Sequence, residues 1–335
     1  MKAAVYHGPG QVYVEDAARP SAGKGEMLIR VRVATVCATD VKTWRAGHPL
    51  VTPPVILGHE FAGIVAEVNG VTGFAPGDPV TAAPYIECGR CYLCRHGVPE
   101  LCEKKSYPSN GAFAEYLLVS REFARRGVIK LPAGMPIETG TFVEPLACVL
   151  NGLEEIRLRP REFAAVVGGG PMGLLHLVAL RDHPGGLLVS EPLAERRSLA
   201  HRLGADAYEP SEARTQILER TAGRGADVVI VAVGHADVAG SSLGLARKGG
   251  RVLWFGGFPP GVSVAIDPNI IHYRQAQVHG SYGFSSKHFR RAAGLLENGP
   301  DPTPFITHRL PLERIGEALE LAASHRAFKV ALVVD

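Results

Sequence analysis

The run FAAVVGGGPMGLLHLVALRDH (163–183) constrains this chain more than any other. A short apolar stretch of β type leads straight into glycines and then into a helical pattern. The same grammar returns in LLVSEPLAERRSLAHRLGAD (187–206), and DVVIVAVG, RVLWFGG and QAQVHGS supply further short apolar strands. Strands alternating with helices imply a doubly wound parallel sheet, since each connection must travel back before the next strand begins.

The rest has a different texture. Up to about residue 135 the pattern is β-rich, with strands expected at MLIRVRVATV (27–36), FAGIVAEV (61–68) and FAEYLLV (113–119) between dense Gly and Pro. IETGTFVEPLACVLNGLEEI (137–156) reads as helix, as do the tail segments SSKHFRRAAGLLENG and PLERIGEALELAASH, and KVALVVD (329–335) reads as a last strand. A chain of 335 residues has room for two domains. The fold class expected is α/β, a doubly wound parallel sheet plus a β-rich domain.

Charge narrows the partners. The net charge is +3 and no run of Lys or Arg forms a basic patch, which argues against nucleic acid and anionic membrane. No apolar run approaches the roughly 20 residues that span a bilayer. The N-terminus, MKAAVYHGPGQVYVED, lacks the apolar core of a signal peptide. A cytoplasmic protein is expected.

Gly168, Gly170 and Gly173 form G-x-G-x-x-G at the strand-to-helix turn, with Pro171 and Met172 between the last two. The first glycine permits the turn, the second lets a pyrophosphate approach the backbone, and the third lets helix pack on strand. Free N–H groups at the helix start then face the diphosphate. Glu191, 21 residues after Gly170, ends the next strand, where a carboxylate binds the adenosine ribose and repels a 2′-phosphate. NAD is the expected cofactor, although Arg196 and Arg197 could accommodate the phosphate of NADP.

Cys88, Cys91, Cys94 and Cys102 account for four of six cysteines, in the spacing C-x2-C-x2-C-x7-C. In a reducing compartment such clusters bind metal more often than they form disulfides. Four thiolates with no open position suit a structural zinc, and an iron–sulfur cluster is the competing reading. A second constellation lies nearer the N-terminus: Cys37 in V-C-A-T-D, and His59 with Glu60 in G-H-E-F. Thiolate, imidazole and carboxylate together suit a zinc with an open position, and Asp40 is placed to orient the imidazole.

In order along the chain, CATDVKTW, GHEFAG, the cysteine lobe, VEPLACVLNGLE and VVGGGPMG resemble the zinc-containing medium-chain dehydrogenase/reductase family over essentially the whole length. GHE followed by VEPLA resembles the branch of sorbitol (L-iditol), 2,3-butanediol, inosamine and threonine dehydrogenases. The resemblance implies a GroES-like catalytic domain, residues 1–148 with 285–335, around a Rossmann NAD-binding domain at 149–284. It implies that Cys37, His59 and Glu60 hold a catalytic zinc, with Glu144 as a fourth ligand or as the partner of its water. Thr39 would relay the alcohol proton, and the two zinc ions and NAD would serve hydride transfer from a secondary alcohol. A homotetramer or homodimer built on the Rossmann domain is implied as well.

Two positions depart from that pattern. Lys42 stands where many relatives carry a relay histidine, and Gly283, in GSYGFSS, stands where sorbitol dehydrogenases carry an arginine. Sorbitol itself is thereby disfavoured within the expected class of polyols, inositol-like rings and vicinal diols. L-threonine is the second expectation, and a non-catalytic NAD(H)-binding zinc protein is the third. Trp44, Tyr282 and Phe284 are candidates to line the substrate pocket.

Overall fold

A computed structural model describes residues 1–324 and 326–334. The chain divides into two compact units, Met1–Ala147 with Phe284–Asp335, and Cys148–Gly283. His325 and Asp335, which end two of the expected elements, lie outside the described residues.

The first unit is built on a sheet with the order Ile306–Pro311, Lys329–Val333, Glu26–Thr35, Glu60–Asn69, Pro79–Ala82, Val128–Lys130, and Tyr116–Ser120 also pairs with Glu26–Thr35. Its central strand, EMLIRVRVAT, buries Met27, Ile29 and Val31 in a core shared with Phe61 and Val65. Alternation along the strand leaves Arg30 and Arg32 half-buried between apolar neighbours. A second, smaller sheet joins Lys2–Gly8, Gln11–Asp16 and Val55–Ile56. The strand expected at 113–119 is displaced to Tyr116–Ser120, because its first residues bond elsewhere. The Phe113 carbonyl accepts the Ala4 N–H at 2.7 Å, and the Phe113 N–H donates to Leu57 at 2.9 Å.

The segment expected as one helix at 137–156 is a 3-10 turn, Ile137–Phe142, followed by an α-helix, Val143–Glu155. Thr139, Gly140 and Thr141 disfavour a regular first turn, and the Thr141 hydroxyl donates to the Glu138 carbonyl at 2.7 Å.

The second unit is a sheet whose strands pair in parallel throughout, in the order Asp206–Tyr208, Leu187–Ser190, Ala164–Val167, Ala226–Val231, Ala246–Trp254, Gln277–Gly280. The chain enters at Ala164–Val167, works outward to one edge, then returns and works outward to the other. Order therefore reverses between Ala164–Val167 and Ala226–Val231, the point where such sheets open a crevice at their carboxyl ends. Ala164–Val167 is buried along its whole length, as a strand covered on both faces requires. Among the described residues, no helix is long and apolar enough to cross a membrane.

Candidate active site

The register of Glu26–Thr35 against Glu60–Asn69 sets Thr35 opposite Glu60, and the chain beyond Thr35 delivers Cys37 as the N-cap of the helix Ala38–Ala46. Asp40, in that helix's first turn, is buried. One of its oxygens accepts the Cys37 N–H at 2.9 Å, and the other lies 3.3 Å from His59 Nδ1. A single carboxylate thus meets both the backbone of the thiol and Nδ1 of the imidazole, which leaves Nε2 as the atom that could meet a metal. His59 reaches this place through Gly58, whose φ of +92° favours glycine. A Cβ on Gly58 would lie 2.5 Å from the Phe113 ring.

The ligand atoms of Cys37, His59 and Glu60 lie within 4.8 Å of one another. Glu60 is fully buried, and its two oxygens differ sharply. Oε2 accepts the Thr35 hydroxyl at 2.6 Å and pairs with Lys329 Nζ, whereas Oε1 has no hydrogen-bond partner among the described residues. A buried charged oxygen left without a partner is costly unless a cation meets it. Oε1 beside a thiol and an imidazole is the donor set that a zinc ion would satisfy. Burial disfavours a charge on His59, but Asp40 and Cys37 outweigh it and hold the ring well above its usual pKa. Burial also pushes Glu144 up to about 7, opposed by His59 and reinforced by Glu60. Glu144 is electrostatically linked to the set but lies outside its 4.8 Å circle. Thr39 is exposed at the start of the helix, its carbonyl accepting the Thr43 hydroxyl at 2.8 Å.

Lys329 and Thr35 were missed in the sequence. Lys329 opens the strand Lys329–Val333 and is 6% exposed. Burial alone would lower its pKa, yet the Glu60 charge raises it, so it stays a cation. A lysine at the head of an otherwise apolar core strand was the available signal.

The sulfurs of Cys88, Cys91, Cys94 and Cys102 form a second cluster within 4.8 Å. Backbone N–H groups aim at them: Cys88 N–H donates to Cys102 Sγ at 3.2 Å, Cys91 N–H to Cys88 at 3.3 Å and Lys104 N–H to Cys102 at 3.3 Å. Such donors pull Cys91 down to about 6, whereas burial pushes Cys94 up to about 12. Thiols this close cannot all ionise without a cation among them, and the closed tetrad fits a zinc ion.

In the second unit, Gly168 follows its strand with φ +100°, and Pro171 opens the helix Pro171–Ala179 after Gly170. A Cβ on Gly173 would fall 1.8 Å from the Gly168 carbonyl oxygen, so only glycine closes this turn. Met172 and Gly173 then supply first-turn N–H groups that no intrahelical carbonyl can reach. Glu191 is 2% exposed; its carboxylate accepts the Gly169 N–H at 2.6 Å and the Leu193 N–H at 2.9 Å. Arg197 is turned away, bonded to the Glu191 and Pro192 carbonyls and to Glu209. Arg196 instead reaches the turn, its guanidinium 3.9 Å from where a Gly170 Cβ would lie.

The three aromatic pocket candidates separate. Phe284 is core, 1% exposed and stacked 5.0 Å from Tyr85, so packing consumes it. Trp44 packs half-buried on the core of the first unit, and Tyr282 is exposed. Lys42 lies at the surface.

Comparison with known proteins agrees with this geometry. Residues 23–133 match the alcohol dehydrogenase GroES-like domain and residues 185–298 match the zinc-binding dehydrogenase family. A sorbitol dehydrogenase of Halalkalibacterium halodurans is 32% identical over 99% of both chains. An L-threonine 3-dehydrogenase of Pyrococcus furiosus is 32% identical, over 94% of this chain and 93% of its own. Among solved structures, a zinc-binding dehydrogenase of Sinorhizobium meliloti bound to NADP superposes with a TM-score of 0.90 at 32% identity, covering 99% of this chain and 98% of its own. The chain belongs to the zinc-binding, GroES-like alcohol dehydrogenase family, an NAD-linked group of oxidoreductases.

Proposed function

We propose that this enzyme oxidises a secondary hydroxyl of a polyol, an inositol-like ring or a vicinal diol to a ketone, with NAD as hydride acceptor. The observation that carries the reading is the buried set Cys37, His59 and Glu60 with the unpartnered Glu60 Oε1. Bound there, zinc supplies the Lewis acidity that makes a substrate hydroxyl acidic near neutral pH, and the nicotinamide supplies the hydride acceptor.

The chain's own residues do the rest. Cys37, His59 and Glu60 hold the metal, Asp40 keeps the imidazole in the right tautomer, and Lys329 with Thr35 keeps Oε2 of Glu60 occupied. Glu144, raised to about 7 by burial, is the exchangeable fourth donor. Thr39, exposed beside Cys37, accepts the substrate proton and passes it outward. Cys88, Cys91, Cys94 and Cys102 hold a second zinc that orders their lobe.

In the second unit Gly168, Gly170, Pro171, Met172 and Gly173 cradle the diphosphate, while Glu191 takes the adenosine ribose and disfavours a 2′-phosphate. Arg196 over Gly170 opposes that preference, and the Sinorhizobium relative binds NADP. NAD remains the better fit because the Glu191 carboxylate is buried and fixed. We assign catalysis to the first unit, dinucleotide binding to the second, and assembly as a dimer or tetramer to the second unit. A reducing cytoplasm suits thiolate ligands.

L-threonine is the second substrate reading, favoured by the Pyrococcus relative. Gly283 in place of an arginine keeps sorbitol below other polyols. The test is a panel of polyols, inositols, 2,3-butanediol and threonine with NAD or NADP, read as NADH or NADPH absorbance. Turnover of a polyol, inositol or diol with NAD is expected. Threonine alone would favour the second reading, and no turnover of any alcohol would leave a non-catalytic protein.

A further inference from the structure

The strands of the second unit begin at the end of the sheet opposite the glycine turn, and a cavity of about 260 Å³ opens there. Its wall comes from the loop that leads into Ala164–Val167 (Arg157, Arg159, Glu162) and from the paired strands Ala246–Trp254 and Gln277–Gly280 (Arg247, Arg251, Gln277, His279). Four arginines thus face one carboxylate.

The four are not equivalent. Arg251 is engaged at both terminal nitrogens: Nη1 donates to the Ile156 and Arg157 carbonyls at 2.8 and 2.6 Å, and Nη2 pairs with Glu162. Arg247 donates through Nε to Asp227 at 2.5 Å and through Nη1 to the Lys248 carbonyl at 2.7 Å, which leaves Nη2 for the cavity. The guanidinium groups of Arg157 and Arg159 have no hydrogen bond or ion pair among the described residues. His279 Nε2 is buried and also lacks a partner. Burial holds this imidazole below its usual pKa, Arg251 and Arg157 add to that, and Glu155 opposes them, so the ring is neutral at pH 7.

The loop is held in a costly shape. Arg157 and Arg161 adopt φ of +51° and +71°, a region that side-chain-bearing residues rarely occupy. The bonds from Arg251 to the Ile156 and Arg157 carbonyls hold that shape and set Arg157 beside the cavity.

We propose that this cavity binds a small multivalent oxyanion, phosphoryl or polycarboxylate, gripped by Arg157 and Arg159 and completed by Arg247 Nη2, Gln277 and His279. Guanidinium forks match the paired oxygens of both chemistries, and an anion relieves the mutual repulsion of cations left without partners. The volume lies just below the about 300–1,000 Å³ of pockets that take drug-sized ligands, which suits a smaller anion of pyrophosphate or citrate size. None of these residues belongs to the dinucleotide turn.

The test is calorimetric titration of the full-length, zinc-loaded protein with pyrophosphate and with citrate, at constant ionic strength and with NADH saturating. Saturable binding of either anion at about 1 mM or tighter is expected, weakened roughly tenfold or more in Arg157→Gln/Arg159→Gln with NADH affinity unchanged. Binding of pyrophosphate alone identifies a phosphoryl ligand, and binding of citrate identifies a carboxylate one. The single Arg159→Gln variant, at an exposed position, repeats the test should the double variant fold poorly. No saturable heat with either anion, affinity unchanged in the variants, or pyrophosphate binding abolished by NADH would overturn the proposal.

Discussion

Lys329 is the residue on which the geometry of Glu60 depends most, and Lys329→Met is the perturbation that exposes it. The pair is buried, at 6% and 1% side-chain exposure. Removing the ammonium leaves the carboxylate with the Thr35 hydroxyl at 2.6 Å as its one remaining partner among the described residues. Breaking a buried pair from one side costs about 3–5 kcal/mol. Destabilisation of about 3 kcal/mol or more is therefore expected at pH 8. The assay is denaturant unfolding of metal-stripped parent, Lys329→Met, Glu60→Gln and the double variant, all treated alike. The double variant should be more stable at pH 8 than Lys329→Met, because no lone charge stays buried. A loss below about 1 kcal/mol at pH 8, or a double variant no better than Lys329→Met, would refute the pair as the anchor of Glu60.

His176 makes the second unit acid-sensitive: burial holds its ring at about 4, against the Met172 carbonyl bond that raises it. Below pH 6.5 the unfolded chain binds a proton that the folded chain refuses, so stability present above pH 6.5 is lost as pH falls toward 4, by about 3 kcal/mol. His176→Phe should flatten the dependence of melting temperature on pH across that window, and an unchanged slope would contradict the assignment. Glu191→Ala should raise the KM for NAD about tenfold or more and shift preference toward NADP, since both the ribose partner and the charge are lost. A parent enzyme that already prefers NADP would mean that Arg196 prevails over Glu191.

Much of this was legible because its chemistry is local. The turn from Gly168 to Gly173 reads directly, since a Cβ at Gly173 has nowhere to go, and the cysteine lobe reads directly from a spacing that one loop can close. Asp40 was legible for the same reason, three residues from Cys37 on one helical turn. Lys329 was not, because its partner Glu60 lies far away in sequence and only the register of the intervening Glu26–Thr35 strand joins them. Phe284 illustrates the same limit. It was one of three candidates for the pocket wall, and its stacking on Tyr85, nearly 200 residues away, shows only in the fold. Strand ends were displaced where a segment changes partners, as at Phe113.

The central claim is that two metal centres divide the work, the one at Cys37 acting on substrate and the one at Cys91 maintaining the fold. Metal content, turnover with the best alcohol of the panel and melting temperature, measured together on Cys37→Ser, Cys91→Ser and the parent, test it most directly. The parent should hold about two zinc ions per chain and each variant about one. Cys37→Ser should lose nearly all turnover while keeping its melting temperature within a few degrees and its NADH affinity intact. Cys91→Ser should melt well below the parent, yet turn over substrate at low temperature while it remains assembled. Near-normal turnover in Cys37→Ser, or a Cys91→Ser protein that melts like the parent, would contradict it.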